Sequence, residues 1–194
     1  VARNNIFINC TYSVEIFCRN DSLGNNAIKN GIENCEISNN ISINQGYCWG
    51  YEARTDKYPA AELVIWNLQK DKTDLNIINN KYYNPRNLRY YYPNGKMEDI
   101  LKNEMNVDNN KAYISSKTTL INGQGNYEDQ SILKEYNQDQ NSEIILITEE
   151  QVEQISNKKI INSNNYEEIK QYYEELEKEI QYTNVVQKII KNYT

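Results

Sequence analysis

The stretch that decides the fold class of this sequence is Ile144-Ile145-Leu146-Ile147-Thr148-Glu149-Glu150-Gln151. Four consecutive apolar residues at 144–147 predict a buried β-strand. Thr148 with Gln151 three residues later forms a capping box, which predicts a helix directly after the strand, over Glu149 to Ser156. The chain therefore changes from strand to helix at residue 148, and we expect an α+β protein.

The helical pattern continues to the end of the chain. Apolar and aromatic residues form a heptad-like seam of about four turns at Tyr166, Ile169, Tyr173, Leu176 and Ile180. Such a seam packs either on its own domain or on a partner in an oligomer. We expect residues 149–194 to be a helical segment packed on the same domain as the rest of the chain.

Residues 1–148 are predicted to form a mainly antiparallel β body. Runs of β-branched and aromatic residues predict strands at 5–10, 12–18, 36–43, 60–66, 112–114 and 118–121. The tyrosine-rich run before Pro93-Asn94-Gly95 predicts a hairpin over 88–96. The spacing of apolar residues over 97–105 predicts a short helix.

All four cysteines, Cys10, Cys18, Cys35 and Cys48, lie in the first 50 residues. An even, clustered set is typical of disulfides in an oxidising compartment. We expect Cys10 to pair with Cys18 and Cys35 with Cys48, because short loops close most easily. Residues 1–50 would then be a disulfide-stapled N-terminal region. Free buried thiols and a four-thiolate zinc site are the alternatives, although the spacing contains no zinc knuckle.

The composition restricts the chemistry. The chain has 32 asparagines, 17 tyrosines and no histidine in 194 residues. Without histidine, neither a Ser/His/Asp triad nor a Cys/His dyad can form within one chain. Hydrolysis by carboxylates alone needs no histidine, and Glu52, Asp56 and Glu62 are the candidates near aromatic residues. We nevertheless expect no enzyme, no catalytic residues, no metal and no cofactor.

The charge distribution bears on the partners. Residues 1–97 carry 11 Lys and Arg against 9 Asp and Glu, whereas residues 98–194 carry 10 against 18. An acidic half repels phosphate backbones, so we expect no nucleic-acid partner. No stretch approaches the roughly 18 apolar residues of a membrane-spanning helix. Val1 in place of Met indicates either a processed or a trimmed chain, and removal of a signal peptide is the natural form of processing.

A candidate binding face is formed by aromatic residues that alternate along the chain. Tyr47, Trp49 and Tyr51 would project from one face of a strand, as would Tyr90 and Tyr92. Such a face binds sugar rings or a protein partner, unless these side chains belong to the core. The sequons at Asn9, Asn20, Asn40 and Asn192 permit glycosylation.

These observations predict a secreted, extracellular or cell-surface protein that is structural or adhesive and has no enzymatic activity. We expect it to self-associate, as a subunit of an extracellular assembly or filament does. The alternative is a secreted module that binds a glycan or a host protein through the aromatic face. A carboxylate-based hydrolase is a third hypothesis.

Overall fold

The fold is a three-sided stack of parallel strands. A computed structural model describes residues 1–17, 32–55, 60, 63–66, 73–91, 104–122, 125–126 and 134–193. In this part of the chain, successive coils each contribute one strand to each of three sheets. The described chain is therefore a parallel β-solenoid followed by helices.

Four coils contribute to all three sheets. Their strands are β1 (Ala2–Arg3), β2 (Ile6–Ile8) and β3 (Val14–Phe17); β4 (Ile32–Ser38), β5 (Ile41–Ile43) and β6 (Leu63–Trp66); β7 (Thr73–Ile78), β8 (Lys81–Tyr83) and β9 (Asn87–Tyr91); and β10 (Glu104–Asp108), β11 (Lys111–Ile114) and β12 (Thr119–Asn122). Two further strands, β13 (Gly125–Asn126) and β14 (Glu143–Leu146), complete the sheets. We call them sheet A (β1-β4-β7-β10), sheet B (β2-β5-β8-β11-β14) and sheet C (β3-β6-β9-β12-β13).

Four helices lie wholly within the described residues and accompany the solenoid. Helix α1 (Trp49–Ala53) lies between β5 and β6, whereas α2 (Glu149–Ile155), α3 (Lys158–Ile161) and α4 (Tyr166–Tyr193) follow β14. Thr148 caps α2, and the reciprocal bonds between Thr148 and Gln151 confirm the predicted capping box. The predicted C-terminal helix is also confirmed. Its seam residues Ile169, Tyr173, Leu176 and Ile180 are buried, as expected, but Tyr166 is exposed.

The corner between sheets A and B is built from paired asparagines. At each turn the first asparagine takes a left-handed backbone, with φ between 54° and 58° at Asn4, Asn39, Asn79 and Asn109. Asparagine tolerates this conformation because its short polar side chain bonds locally. The corners open four similar segments, NNIFIN at 4–9, NNISIN at 39–44, NNKYYN at 79–84 and NNKAYI at 109–114. This internal repeat is the sequence signal of the solenoid.

The second asparagine of each pair belongs to a ladder that joins the coils. The Oδ1 atom of Asn80 accepts from both the backbone N–H and the Nδ2 of Asn40, each at 3.0 Å. Its own Nδ2 donates to the Ile37 carbonyl at 2.9 Å and to Asn110 Oδ1 at 3.1 Å. The same pattern links Asn5 to Asn40, and Ser142 Oγ ends the ladder by accepting from the Asn110 N–H at 3.0 Å.

The outer face of sheet B packs against the C-terminal helices. Tyr83 and Tyr113 stack in neighbouring coils, with ring centroids 4.8 Å apart and an angle of 3° between the planes. Tyr173 of α4 packs against Tyr83 at 5.0 Å. These tyrosines share one core with Ile43 and with apolar residues of α2, α3 and α4. Burial raises the pKa of Tyr83 and Tyr113, so both hydroxyls are neutral.

Glu177 fastens α4 to the solenoid. Its carboxylate pairs with Lys81 Nζ and, at 3.2 Å, with Lys111 Nζ. Lys81 and Lys111 occupy the same register position in successive strands of sheet B. Burial alone would raise the pKa of Glu177, but hydrogen bonding to Lys81, Tyr113 and Lys111 and the charge of Lys81 outweigh it and leave the pKa below its ordinary value.

The predicted antiparallel, disulfide-stapled body is wrong. In the described residues, every strand pair of sheets A and B is parallel. The antiparallel pair seen there is β12 with β13, in sheet C. Cys10, Cys35 and Cys48 are free thiols, so neither of the two predicted disulfides is formed, while Cys18 lies outside the described residues. A parallel solenoid connects its coils through the asparagine ladder and needs no such cross-link.

The structure also corrects several local predictions of strands and helices. The expected strand over 36–43 is divided between β4 and β5 by the corner at Asn39. The last residues of the expected helix over 97–105 belong instead to strand β10, where Met105 is buried in sheet A. Residues 92–103 lie outside the described part, so the second half of the expected hairpin does too. Its first half, β9, pairs in parallel with β6 and β12.

The ladder predicts an unequal response to asparagine substitution. Asn80→Ala removes an acceptor shared by two buried donors, and we expect it to lower the free energy of unfolding by about 3 kcal/mol. Asn106→Ala is the matched control, because Asn106 is an exposed asparagine on β10, and we expect a change within about 0.5 kcal/mol. Denaturant titration measures both values, and equal losses would contradict a special role for the ladder.

The pairing of Glu177 predicts a pH-dependent contribution to stability. Its folded pKa is lowered, so its stabilisation is complete above its unfolded pKa of about 4.3 and is lost as the pH falls through the folded pKa. At neutral pH, Glu177→Gln should therefore lower stability by about 1–3 kcal/mol. In melting experiments from pH 7 to pH 3, the difference from wild type should shrink in acid. Glu179→Gln, at an exposed position of α4, should match wild type throughout.

Candidate binding groove

The corner between sheets B and C carries a second row of asparagines. Asn9, Asn44 and Asn84 follow β2, β5 and β8, each with a left-handed φ of 50° to 51°. Their backbone N–H groups donate to the strand of the next coil, as Asn84 does to the Tyr113 carbonyl at 2.8 Å. In the β11 coil, Ile114 takes the position equivalent to Asn84, and Ser115 follows it. The repeat thus lines one edge of the molecule with amide and hydroxyl groups.

A groove of about 540 Å³ runs beside this row. The row Asn9, Asn44, Asn84 and Ser115 lines one side, and residues of α2, α3 and their flanks line another: Val152, Ser156, Lys158, Ile161 and Asn162. Tyr47, Lys117 and Glu149 complete the lining. The volume lies in the range of small-molecule sites, which is about 300–1,000 Å³.

Hydrogen bonding in the groove is incomplete. Asn84 Nδ2 donates to Asn44 Oδ1 at 3.0 Å, and Asn44 Nδ2 donates to Ser156 Oγ of the segment after α2 at 3.2 Å. Asn44 and Asn84 are 5% and 6% exposed. Within the described part of the chain, Asn84 Oδ1 has no hydrogen-bond partner. A buried acceptor without a donor is costly, so this atom suits a donor from a ligand or a water.

Tyr47 supplies an aromatic surface at the groove, with 40% of its surface exposed. Arg86 holds this region together. Its guanidinium lies 5.8 Å from the Tyr47 ring centroid and 4.7 Å from that of Tyr51, pairs with Glu52, and donates to the Gly46 carbonyl at 3.3 Å. Burial raises the pKa of Tyr47 despite the nearby arginine, so its hydroxyl is a neutral donor and acceptor.

The groove carries few net charges. Lys117 and Glu149 pair at 3.5 Å and are both largely exposed, and Lys158 adds one further cation. Of the proposed hydrolytic carboxylates, Glu52 is paired with Arg86, while Asp56 and Glu62 lie outside the described residues. Among the residues described, no group of three His, Cys, Asp or Glu side chains could hold a metal ion.

The predicted aromatic face is divided by the structure. Tyr47 lies in the groove, Trp49 begins α1 and is 86% exposed, and Tyr51 is buried. They lie on a turn and a helix, so the strand alternation that suggested a common face does not apply. The side chain of Tyr90, and Tyr92 altogether, lie outside the described residues.

The sequon asparagines occupy different environments. Asn9 is exposed beside the groove, whereas Asn40 is buried in the ladder, where a glycan would have to replace its Nδ2 bonds to the Ala2 carbonyl and to Asn80. Asn192 lies in α4, where its side chain is outside the described part, and Asn20 lies outside it altogether.

Sequence reasoning missed the central groove residues Asn44, Asn84 and Ser115. The signal that could have found them is the repeated segment, because NNISIN and NNKYYN both end in the asparagine that forms this corner. A strand prediction made for one segment at a time does not reveal their common spacing.

Comparisons with protein-family models, curated proteins and solved structures found no match to this chain. Among the described helices, none has the length and apolar character needed to cross a bilayer. Inference about function therefore starts from the groove itself.

Gly46 predicts how strongly this corner depends on its backbone. Its φ is +83°, and a Cβ atom there would lie 2.8 Å from both Ala60 Cβ and Arg86 Cβ. We expect Gly46→Ala to destabilise the fold by about 2–3 kcal/mol through strain and crowding. Gly50→Ala is the matched control, since Gly50 lies in α1 with open space around it, and should be neutral or stabilising by about 1 kcal/mol. Thermal melts of both variants test this, and an undestabilised Gly46→Ala variant would contradict it.

Proposed function

We propose that this solenoid is a non-enzymatic, adhesive binding module whose groove holds a polyhydroxylated ligand such as a segment of an oligosaccharide. One observation carries the proposal: a row of amide and hydroxyl groups, with an unpaired acceptor on Asn84, lies in the same groove as the half-exposed ring of Tyr47. Polar groups that fix orientation beside an apolar surface are the usual composition of a ligand site.

The chemistry of the groove favours hydroxyl-bearing ligands. Amide side chains both donate and accept hydrogen bonds, as sugar hydroxyls do. Asn84 Oδ1 can accept from a ligand hydroxyl, and the aromatic ring of Tyr47 offers an apolar surface to the C–H face of a sugar ring. Because Lys117 and Glu149 pair with each other, a neutral or weakly acidic ligand suits the groove better than a strongly charged one.

The exposure of Trp49 favours a ligand that extends beyond the groove. It lies two residues after Tyr47 and is 86% exposed, and a large aromatic surface left in water is more informative than an exposed small apolar residue. We assign it an accessory contact with the part of the ligand that leaves the groove.

The structure supports ligand binding in the groove better than it supports assembly of the chain into the expected filament. Copies stacked coil on coil would need an open last coil, but the backbone N–H of Asp139 donates to the Val107 carbonyl at 2.6 Å and β13 pairs with β12. In the described residues the outer edges of β10 and β12 are thus at least partly occupied at that end. Adhesion is therefore assigned to the groove, while secretion and glycosylation stay predictions.

A glycan array probed with the labelled chain tests the proposal, followed by titration calorimetry with the glycan retained best. Tyr47→Ala should weaken binding about tenfold, the value of one aromatic contact of roughly 1.4 kcal/mol. Trp49→Ala should weaken it less. Tyr166→Ala is the matched control, because Tyr166 is exposed to the same degree on α4, and it should bind like wild type.

The outcomes of these experiments distinguish ligand binding in the groove from binding at α1 and from the absence of sugar binding. An array on which no glycan is retained would overturn the sugar-binding proposal. Loss of binding in Trp49→Ala with full binding in Tyr47→Ala would place the site on α1 and not in the groove. Melting temperatures of the three variants should match wild type, which shows that lost binding is not lost folding.

A further inference from the structure

The last strand of sheet B presents a second, separate surface. Strand β14 pairs in parallel with β11, from Lys111 opposite Glu143 to Ile114 opposite Leu146. Among the described residues it has no other partner strand, and Leu146 is 66% exposed. The outer edge of β14 therefore offers backbone N–H and C=O groups for one more strand.

The neighbouring edges at this end are already occupied. In sheet A, the Gln138 side chain donates to the Met105 carbonyl and accepts from the Val107 N–H, and the backbone N–H of Asp139 donates to the Val107 carbonyl. In sheet C, β13 folds back on β12. In the described residues the edges of β10 and β12 are thus occupied at least in part, whereas the outer edge of β14 has no partner strand, so we expect the surface to take a single strand and not a complete coil of another solenoid.

Helix α4 lies beside this edge and supplies polar and charged side chains to it. A groove of about 390 Å³ lies between β14 and four residues of α4, Asn184, Gln187, Lys188 and Lys191. Lys188 and Lys191 are three residues apart and therefore share one face of the helix. Both are exposed, and no ion pair within the described part of the chain involves either one. The groove thus combines a strand edge with two available cations.

We propose that this groove binds an extended, acidic segment of a partner protein as an added strand of sheet B. The backbone of the segment would pair with β14, its apolar side chains would pack beside Ile145, and its carboxylates would meet Lys188 and Lys191. Strand addition draws affinity from main-chain hydrogen bonds and specificity from alternate side chains. β14 has four residues, so the segment is about four to six residues long.

Three labelled hexapeptides test the proposal by fluorescence polarisation with the complete chain. The first alternates Ile and Glu, the second alternates Ile and Lys, and the third is the Ile/Glu peptide with alternate backbone amides methylated. We expect the Ile/Glu peptide to bind, the Ile/Lys peptide to bind at least tenfold more weakly, and methylation to abolish binding because it removes strand pairing.

Charge reversal of the groove provides the matched variant. The double substitution Lys188→Glu with Lys191→Glu should weaken binding of the Ile/Glu peptide at least tenfold and strengthen binding of the Ile/Lys peptide. Lys178→Glu, an exposed lysine elsewhere on α4, should leave the preference unchanged. Equal binding of the Glu and Lys peptides, or unaltered binding after methylation, would overturn the proposal.

The native mass of the chain distinguishes a partner from a second copy. We expect a monomer for wild type, because the groove fits a single strand of another protein. A dimer that becomes a monomer on reversal of Lys188 and Lys191 would overturn the proposal in favour of self-association. Glycan binding should be the same in wild type and the double variant, so a failure of this proposal is distinct from a failure of the sugar-binding one.

Discussion

The asparagine ladder is the constraint on which the remaining structure depends. The amide of Asn80 makes four hydrogen bonds, two through Oδ1 and two through Nδ2, which is its full capacity apart from weaker contacts. Asn40, Asn80 and Asn110 are buried, so a coil displaced by one residue would leave these groups without partners. The ladder therefore fixes the level of each coil and, through it, the register of all three sheets. The segments between ladder positions are free to differ in length because they are not needed for that registration.

The corner between sheets B and C is also built from asparagines, but their side chains do not form a fully hydrogen-bonded row. Asn44 and Asn84 also have left-handed backbones, but Ile114 stands in place of the next asparagine and Ser156 supplies a partner for Asn44. The row is interrupted at both places, and Asn84 keeps an acceptor that no described residue satisfies. A fully bonded row makes a rigid joint, whereas an interrupted row keeps hydrogen-bonding capacity for a ligand. This difference is why we assign structure to the first corner and binding to the second.

Sequence reasoning succeeded where the signal was local and failed where it was a repeat. The capping box at Thr148 and the buried seam of α4 are set by residues three or four positions apart, and both were predicted. Strand direction is a relation between segments some 30 to 40 residues apart, visible only as the recurring Asn-Asn pairs. The cysteines misled because an even, clustered count is typical of disulfides, while here the coils are joined by amides. Tyr47 was found as an aromatic residue, but its partners in the groove were not.

The C-terminal helices connect the two candidate surfaces. Glu177 bridges lysines of two successive coils, so α4 is fixed to sheet B at two levels and cannot slide along it without losing one ion pair. Tyr173 and Tyr172 of α4 donate to the Ile155 and Gln154 carbonyls at 2.6 Å and 2.8 Å, which fixes the end of α2. The helical wall of the groove beside Asn44 and Asn84 is therefore positioned by the same helix whose last turns lie beside β14. A displacement of α4 would alter the width of the one groove and the cationic cover of the other, so both sites depend on the junction that Glu177 makes.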